Sequence, residues 1–170
     1  MEQLLTMEPP SPAFERETNS ISWVGHFLIN GKDQYKLAGQ TFKSPLNGWL
    51  RRIDIYTSGI QHPGVLELTL HPFDDMRHQW QEELARSSLL VARNGNDPWI
   101  TMALNQARLE RDRYYGFRLQ SRDALLALGE RARTAGQPIL EGEEWMANTE
   151  NREGDFFHYF NLVFRLGIQT

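Results

Sequence analysis

Gly64-Val65-Leu66-Glu67-Leu68-Thr69-Leu70 is the stretch that decides the fold. Leu66, Leu68 and Leu70 alternate with Val65, Glu67 and Thr69, and a period of two places the leucines on one face of an extended chain. A helix would scatter the same leucines around its axis. The stretch therefore reads as a half-buried strand with its leucines on the core. Upstream, residues 21–29 are rich in β-branched and aromatic side chains and close on Asn30-Gly31, the strongest short hairpin signal. Residues 35–42 form the return arm, Ser44-Pro45-Leu46-Asn47-Gly48 the next turn, and Leu50, Ile53 and Ile55 the strand after it. Downstream, residues 99–104, 114–119 and 156–166 read as strands, with turns at 95–98 and 111–113. Short strands joined by polar turns, without regular helical crossovers, predict an antiparallel sandwich.

Two segments run against this texture. Between Gln79 and Ala92, Trp80, Leu84 and Val91 fall near one helical face, which predicts about two turns of helix ending before Ser87. Residues 121–135 are dense in Ala, Leu, Arg and Glu, all good helix formers, in a context of strands.

A chain of 170 residues fits one domain that buries roughly 70% of its unfolded surface. With 40% apolar and 24% charged residues it lies in the globular range, away from disordered chains. The net charge is −4 and no block of Lys or Arg stands out, so nucleic acid is not an expected partner. Cysteine is absent, which removes disulfides and thiolate chemistry and leaves only His and carboxylates to hold a metal. Glu2, Glu8, Glu15 and Glu17 replace the basic start and apolar run of a secretory signal, and no stretch approaches the ~20 apolar residues that span a bilayer. The expectation is a soluble cytoplasmic protein with no membrane partner, although a secreted chain trimmed of its signal would read the same. Residues 1–19, with Pro9, Pro10 and Pro12, read as an extended arm, either a disordered leader or a dock for a neighbouring subunit, and residues 20–170 as a single domain.

Several short runs carry a family resemblance in their order: Gln40-Thr41-Phe42 before Pro45 and Gly48-Trp49-Leu50; Ile53-Asp54-Ile55-Tyr56; residues 64–70; Trp99; residues 114–119; Glu141-Gly142 with Trp145; and Asn161-Leu162-Val163-Phe164-Arg165. Over about residues 37–168 the chain resembles jelly-roll, galactose-binding-like modules of bacterial proteins, the carbohydrate-binding-module type. The resemblance implies an all-β fold, an antiparallel jelly-roll β-sandwich here given one short helix, and a non-catalytic role. It also implies a strand and turn at 125–129, against the local helix propensity. It supplies no ligand-contacting residue.

Of the polar clusters, His71-Pro72-Phe73-Asp74-Asp75-Met76-Arg77-His78 is the most suggestive. Two imidazoles and two carboxylates suit zinc or manganese, and carboxylate with carbonyl suits calcium. The spacing matches no helical ligand motif, so the expectation is no metal and no cofactor, with Asp74 or Asp75 capping the helix that follows. Glu143-Glu144 and Glu82-Glu83 are sequence neighbours that extended structure points to opposite faces, so neither is a catalytic pair. Ser87-Ser88 lack a nucleophile elbow, and no phosphate-binding glycine loop occurs. The chain is therefore not expected to be an enzyme.

Sugar recognition uses flat rings flanked by polar groups. Trp145 in the turn-rich stretch 141–154, with Glu143 and Asn148, is the first candidate, and Trp99 beside Asp97 and Asn94 the second. For each the competing reading is a core or edge tryptophan. Two functions follow: a non-catalytic module whose partner is a glycan or similar polar polymer, or an assembly protein that uses the sandwich face and N-terminal arm to form a homo-oligomer.

Overall fold

The computed structural model describes residues 2–6, 21–93, 97–132 and 140–170. Among them the chain forms β1 (Glu2–Thr6), β2 (Ile21–Ile29), β3 (Lys32–Lys43), β4 (Gly48–His62), β5 (Gly64–Asp74), β6 (Gln79–Trp80), β7 (Ala85–Val91), β8 (Trp99–Leu109), β9 (Tyr114–Gln120), β10 (Leu125–Ala132), β11 (Glu144–Asn148), β12 (Asp155–Phe157), β13 (Phe160–Leu162) and β14 (Phe164–Gln169). The main hydrogen-bonded path runs β1-β14-β4-β10-β2-β3-β9-β5-β6. To it β7 adds on β5, β8 on β4, β11 on β3, β12 on β11 and β13 on β10.

Strand β4 makes the sheet curl. Its residues 48–56 pair with β8 and with β14, while residues 57–62 pair with β10. The two halves of one strand thus serve two parts of the sheet, and the ends of the path come round to face each other. Phe164 of β14 lies 5.2 Å from Phe117 of β9 and 6.1 Å from Phe42 of β3, strands to which β14 is not hydrogen-bonded. These rings, with Leu66, Leu68 and Leu70, are fully buried.

The period-two reading of 64–70 holds residue by residue: the three leucines have no exposed surface, whereas Val65 keeps 40% of its own. Asn30 and Gly31 have φ of 51° and 74°, the paired left-handed geometry that a two-residue hairpin needs. Residues 125–132 form one strand, where the family resemblance implies a strand and turn over 125–129. Residues 156–166 form parts of three strands in place of the single one expected. Residues 7–12, the proline-rich part of the arm, lie outside the described residues, as do 94–96 and 133–135; residues 2–6 pair antiparallel with β14.

One expectation is overturned. Among the described residues there is no helix, and the segment expected to be helical is extended. Gln79 and Trp80 fold back on Asp74 and Phe73, and β7 runs along β5 from Leu70↔Ala85 to Gly64↔Val91. An edge strand with a row of open backbone groups rewards pairing more than a short helix rewards weak amphipathic burial. Leu84, counted toward the helical face, is 43% exposed. Asp74 caps a turn instead of a helix: its Oδ1 accepts from the Arg77 amide at 3.0 Å.

Candidate functional site

The β5–β6 turn, the start of β11 and the loop after β12 meet on one surface. The β5–β6 turn ends on His78, whose φ of 56° is a left-handed conformation that Gly or Asn holds more easily. That backbone directs the imidazole toward Glu143, with Nε2 2.9 Å from Oε1. Glu143 is itself pinned: its amide donates to Thr41 Oγ1 at 2.9 Å, and its carbonyl accepts from the Thr41 amide at 2.9 Å. Neighbouring residues on extended chain face opposite ways. Glu143 therefore reaches the surface cluster, and Glu144 is wholly buried. His158 Nδ1 stands 3.7 Å from Glu143 Oε1. One donor atom each from Asp75, His78 and Glu143 lies within 4.8 Å of the others. The second oxygen of Glu143, Oε2, is buried and has no hydrogen-bond partner.

Aromatic rings line this cluster. His78 stacks on Phe156 at 4.8 Å and 16°, and Phe156 lies nearly parallel to Trp80 at 6.2 Å and 25°. Phe73 packs tilted or edge-on against both at 5.3 Å. Trp80 lies close against β9 because residue 116 is glycine: a Cβ there would come within 2.7 Å of its ring. Beneath it Arg118 sits over Trp80 at 5.4 Å and Trp145 at 4.5 Å, and burial lowers its pKa. Trp80 and Phe156 are half-buried, and His78 and His158 are exposed.

The local field is negative. Burial, the hydrogen bond to Glu141 and the charges of Asp75, Glu141 and Glu143 push the Tyr114 phenol up to about 12. His71 does not share in the cluster's chemistry. It is buried with Nδ1 2.8 Å from the Gln81 carbonyl and Nε2 2.8 Å from Thr69 Oγ1, and desolvation outweighs the Gln81 bond to lower its pKa.

Of the residues singled out from sequence, Asp75 and His78 of the polar cluster and Glu143 of the ligand-binding set belong to this surface. Trp145, expected to offer a ring to a ligand, has no exposed surface, and its indole N–H donates to the Glu153 carbonyl at 3.0 Å. Asn148 closes a turn, its Oδ1 accepting from the amides of Glu150 and Asn151 at 2.9 and 2.8 Å. Trp99 is half-buried and packs with Tyr56 and Val163. One face of its ring is covered by the Arg165 guanidinium at 3.9 Å, and the Tyr56 ring meets it edge-on at 5.3 Å. Asp97 accepts from the Trp99 amide at 3.0 Å. Trp80, Phe156 and His158 were missed. The run Phe156-Phe157-His158-Tyr159-Phe160 was the signal for Phe156 and His158, hidden by its reading as one strand, while Trp80 was placed on the face of the expected helix.

Chemically, the arrangement offers partly exposed rings beside carboxylates and imidazoles, which suits non-covalent recognition of a polar ligand. Among the described residues no serine or threonine hydroxyl is hydrogen-bonded to His78 or His158.

No protein-family model matches the chain, and no curated protein does. The fold is similar to a structure of the clostridial cysteine protease Cwp84 after propeptide cleavage, with a TM-score of 0.55 and 12% identity over 99% of this chain and 40% of that one. A second structure holds the cysteine protease and lectin-like domains of Cwp84, a surface layer associated protein of Clostridium difficile. It matches with a TM-score of 0.49 and 11% identity over 90% of this chain and 36% of that one. The chain thus spans well under half the length of these neighbours, and the likeness is one of fold.

Proposed function

We propose that this chain is a non-catalytic binding module that takes a glycan or similar polar polymer on the surface formed by Trp80, Phe156 and His78, with Asp75, Glu143 and His158 at its margin. The observation that carries the reading is the stack His78–Phe156–Trp80, an aromatic platform left half-open and bordered by carboxylate and imidazole groups. The exposed parts of these stacked rings meet apolar patches of a sugar, and the polar margin meets its hydroxyls. Fold likeness to a protein described as having a lectin-like domain supports the reading, and an all-β chain without cysteine corresponds better to that part than to the protease. The finer assignment, a galactose-binding-like jelly roll, belongs to the same proposal and rests on the ordered sequence runs. Tryptophan emission titrated with soluble polysaccharides tests it: Trp80 in the platform predicts a saturable change, and a flat response to every polymer counts against it.

A second reading, self-assembly, has its own observation. Among the described residues β7 pairs only with β5, and Leu89 and Leu90 are 37% and 72% exposed on it, with Val65 opposite Leu90. An open apolar edge strand is a template for another strand. A stable dimer by sedimentation, lost on Leu90→Lys, would favour this reading.

A further inference from the structure

The cluster beside the aromatic platform has the composition and spacing of a metal site. Three segments far apart in the chain converge there: the β5–β6 turn with Asp75 and His78, the residue before β11, Glu143, and the loop after β12 with His158. Two donors held by one zinc ion at 2.0–2.2 Å stand about 3.3–3.6 Å apart in a tetrahedron. The separations of His78 Nε2 and His158 Nδ1 from Glu143 Oε1, 2.9 and 3.7 Å, bracket that value. Asp75, His78 and Glu143 each place one donor atom within 4.8 Å of the others, and His158 stands beside that trio through its contact with Glu143.

A second observation comes from Glu143 itself. Its side chain is only 15% exposed, and Oε2 is buried without a hydrogen-bond partner, an arrangement that costs free energy unless something positive meets it. The imidazole facing it is well oriented, because Phe156 stacks flat against the His78 ring. Mixed imidazole and carboxylate donors select against calcium and magnesium, which prefer oxygen throughout, and favour the later first-row divalent ions.

We infer that Asp75, His78 and Glu143, with His158 standing beside Glu143, form a binding site for a divalent cation of the zinc class, clipping the β5–β6 turn to the start of β11. The inference concerns the same surface as the binding-module reading but does not rest on it. Metal affinity is measurable with no polysaccharide present, so the two fail separately.

The test uses the whole chain without a histidine tag, treated with chelator, dialysed and titrated with zinc chloride alone by calorimetry. The same protein is then melted with zinc, manganese or calcium. The expected result is one zinc per chain and a melting temperature raised by zinc and not by calcium. In His78→Asn and Glu143→Gln, zinc should bind at least tenfold more weakly. Asn accepts the left-handed backbone at 78 more readily than His, so His78→Asn removes a ligand without straining the turn. A folded wild type that takes up no zinc, equal zinc affinity in wild type and His78→Asn, or a preference for calcium would each overturn the assignment.

Discussion

Replacing Trp145 with Ala should unfold the protein far more readily, because the ring is a structural pillar. Its indole is wholly buried, Arg118 lies 4.5 Å over one face, and the Trp80 edge meets it at 5.5 Å. Gly39 closes the approach, since a Cβ there would stand 3.1 Å from the ring. Truncation of a buried Trp to Ala costs about 3–5 kcal/mol, from lost transfer free energy and the cavity left behind. The indole N–H bond to the Glu153 carbonyl adds little, because Glu153 is exposed and water can replace the donor. For a chain of this length each kcal/mol moves the melting temperature by about 2–4 °C, so a fall of roughly 6–20 °C is expected. Urea unfolding followed by circular dichroism would give the cost directly, provided the slope with denaturant is unchanged. Trp145→Phe, which keeps most of the ring volume, should lose well under half as much. A Trp145→Ala midpoint within about 0.5 kcal/mol of wild type would refute the burial on which the reasoning stands.

Other outcomes follow from the same interior. Glu144 is fully buried, and desolvation, followed by the Glu130 carboxyl beside it, pushes its pKa from 4.5 to about 10. The folded chain therefore keeps a proton that the unfolded chain releases above pH 4.5. This group's contribution is greatest below 4.5 and falls as pH rises toward 10. Glu144→Gln should flatten the stability profile between pH 5.5 and 8, and an unaltered slope in urea melts would contradict the buried proton. Asp54 is wholly buried, with Arg165 at 2.9 and 3.0 Å and the Thr101 hydroxyl at 2.8 Å. Arg165→Leu should cost about 3 kcal/mol by removing the main partner of that buried carboxylate, which keeps Arg52 at 3.8 Å and the Thr101 hydroxyl, and a thermal melt like that of wild type would count against the pair. Phe164→Ala should cost about 3–5 kcal/mol by emptying the contact between β14 and strands β3 and β9, measured by chemical denaturation, and a near-neutral result would argue against the curl.

Strand phasing was legible wherever one face meets the core and the other meets water, as at Leu66, Leu68 and Leu70. The Asn30-Gly31 hairpin was legible because its backbone geometry is local. The segment from Gln79 to Val91 was not, because its state depends on β5, a partner whose open edge has no trace in local periodicity. Trp145 misled for a related reason. Its polar neighbours suggested a surface turn, but Glu144 is wholly buried beside it, and the strand pairs with β3 from Glu144↔Gln40 to Asn148↔Lys36. In the candidate site, the Asp75–His78 half was visible as a cluster of imidazole and carboxylate. The other half was not: Glu143 was named beside Trp145 rather than His78, and it and His158 reach the cluster from the residue before β11 and the loop after β12, a meeting that no spacing records.

The platform around Phe156, partly open to solvent, is proposed to hold a polar polymer. Affinity electrophoresis across a panel of soluble glycans, run with wild type and Phe156→Ala at a temperature where both are folded, tests it most directly. Wild type should be retained by at least one glycan, and the variant should lose about 2 kcal/mol, near thirtyfold in affinity. A wild type that no glycan retains, or a variant retained equally, would contradict it.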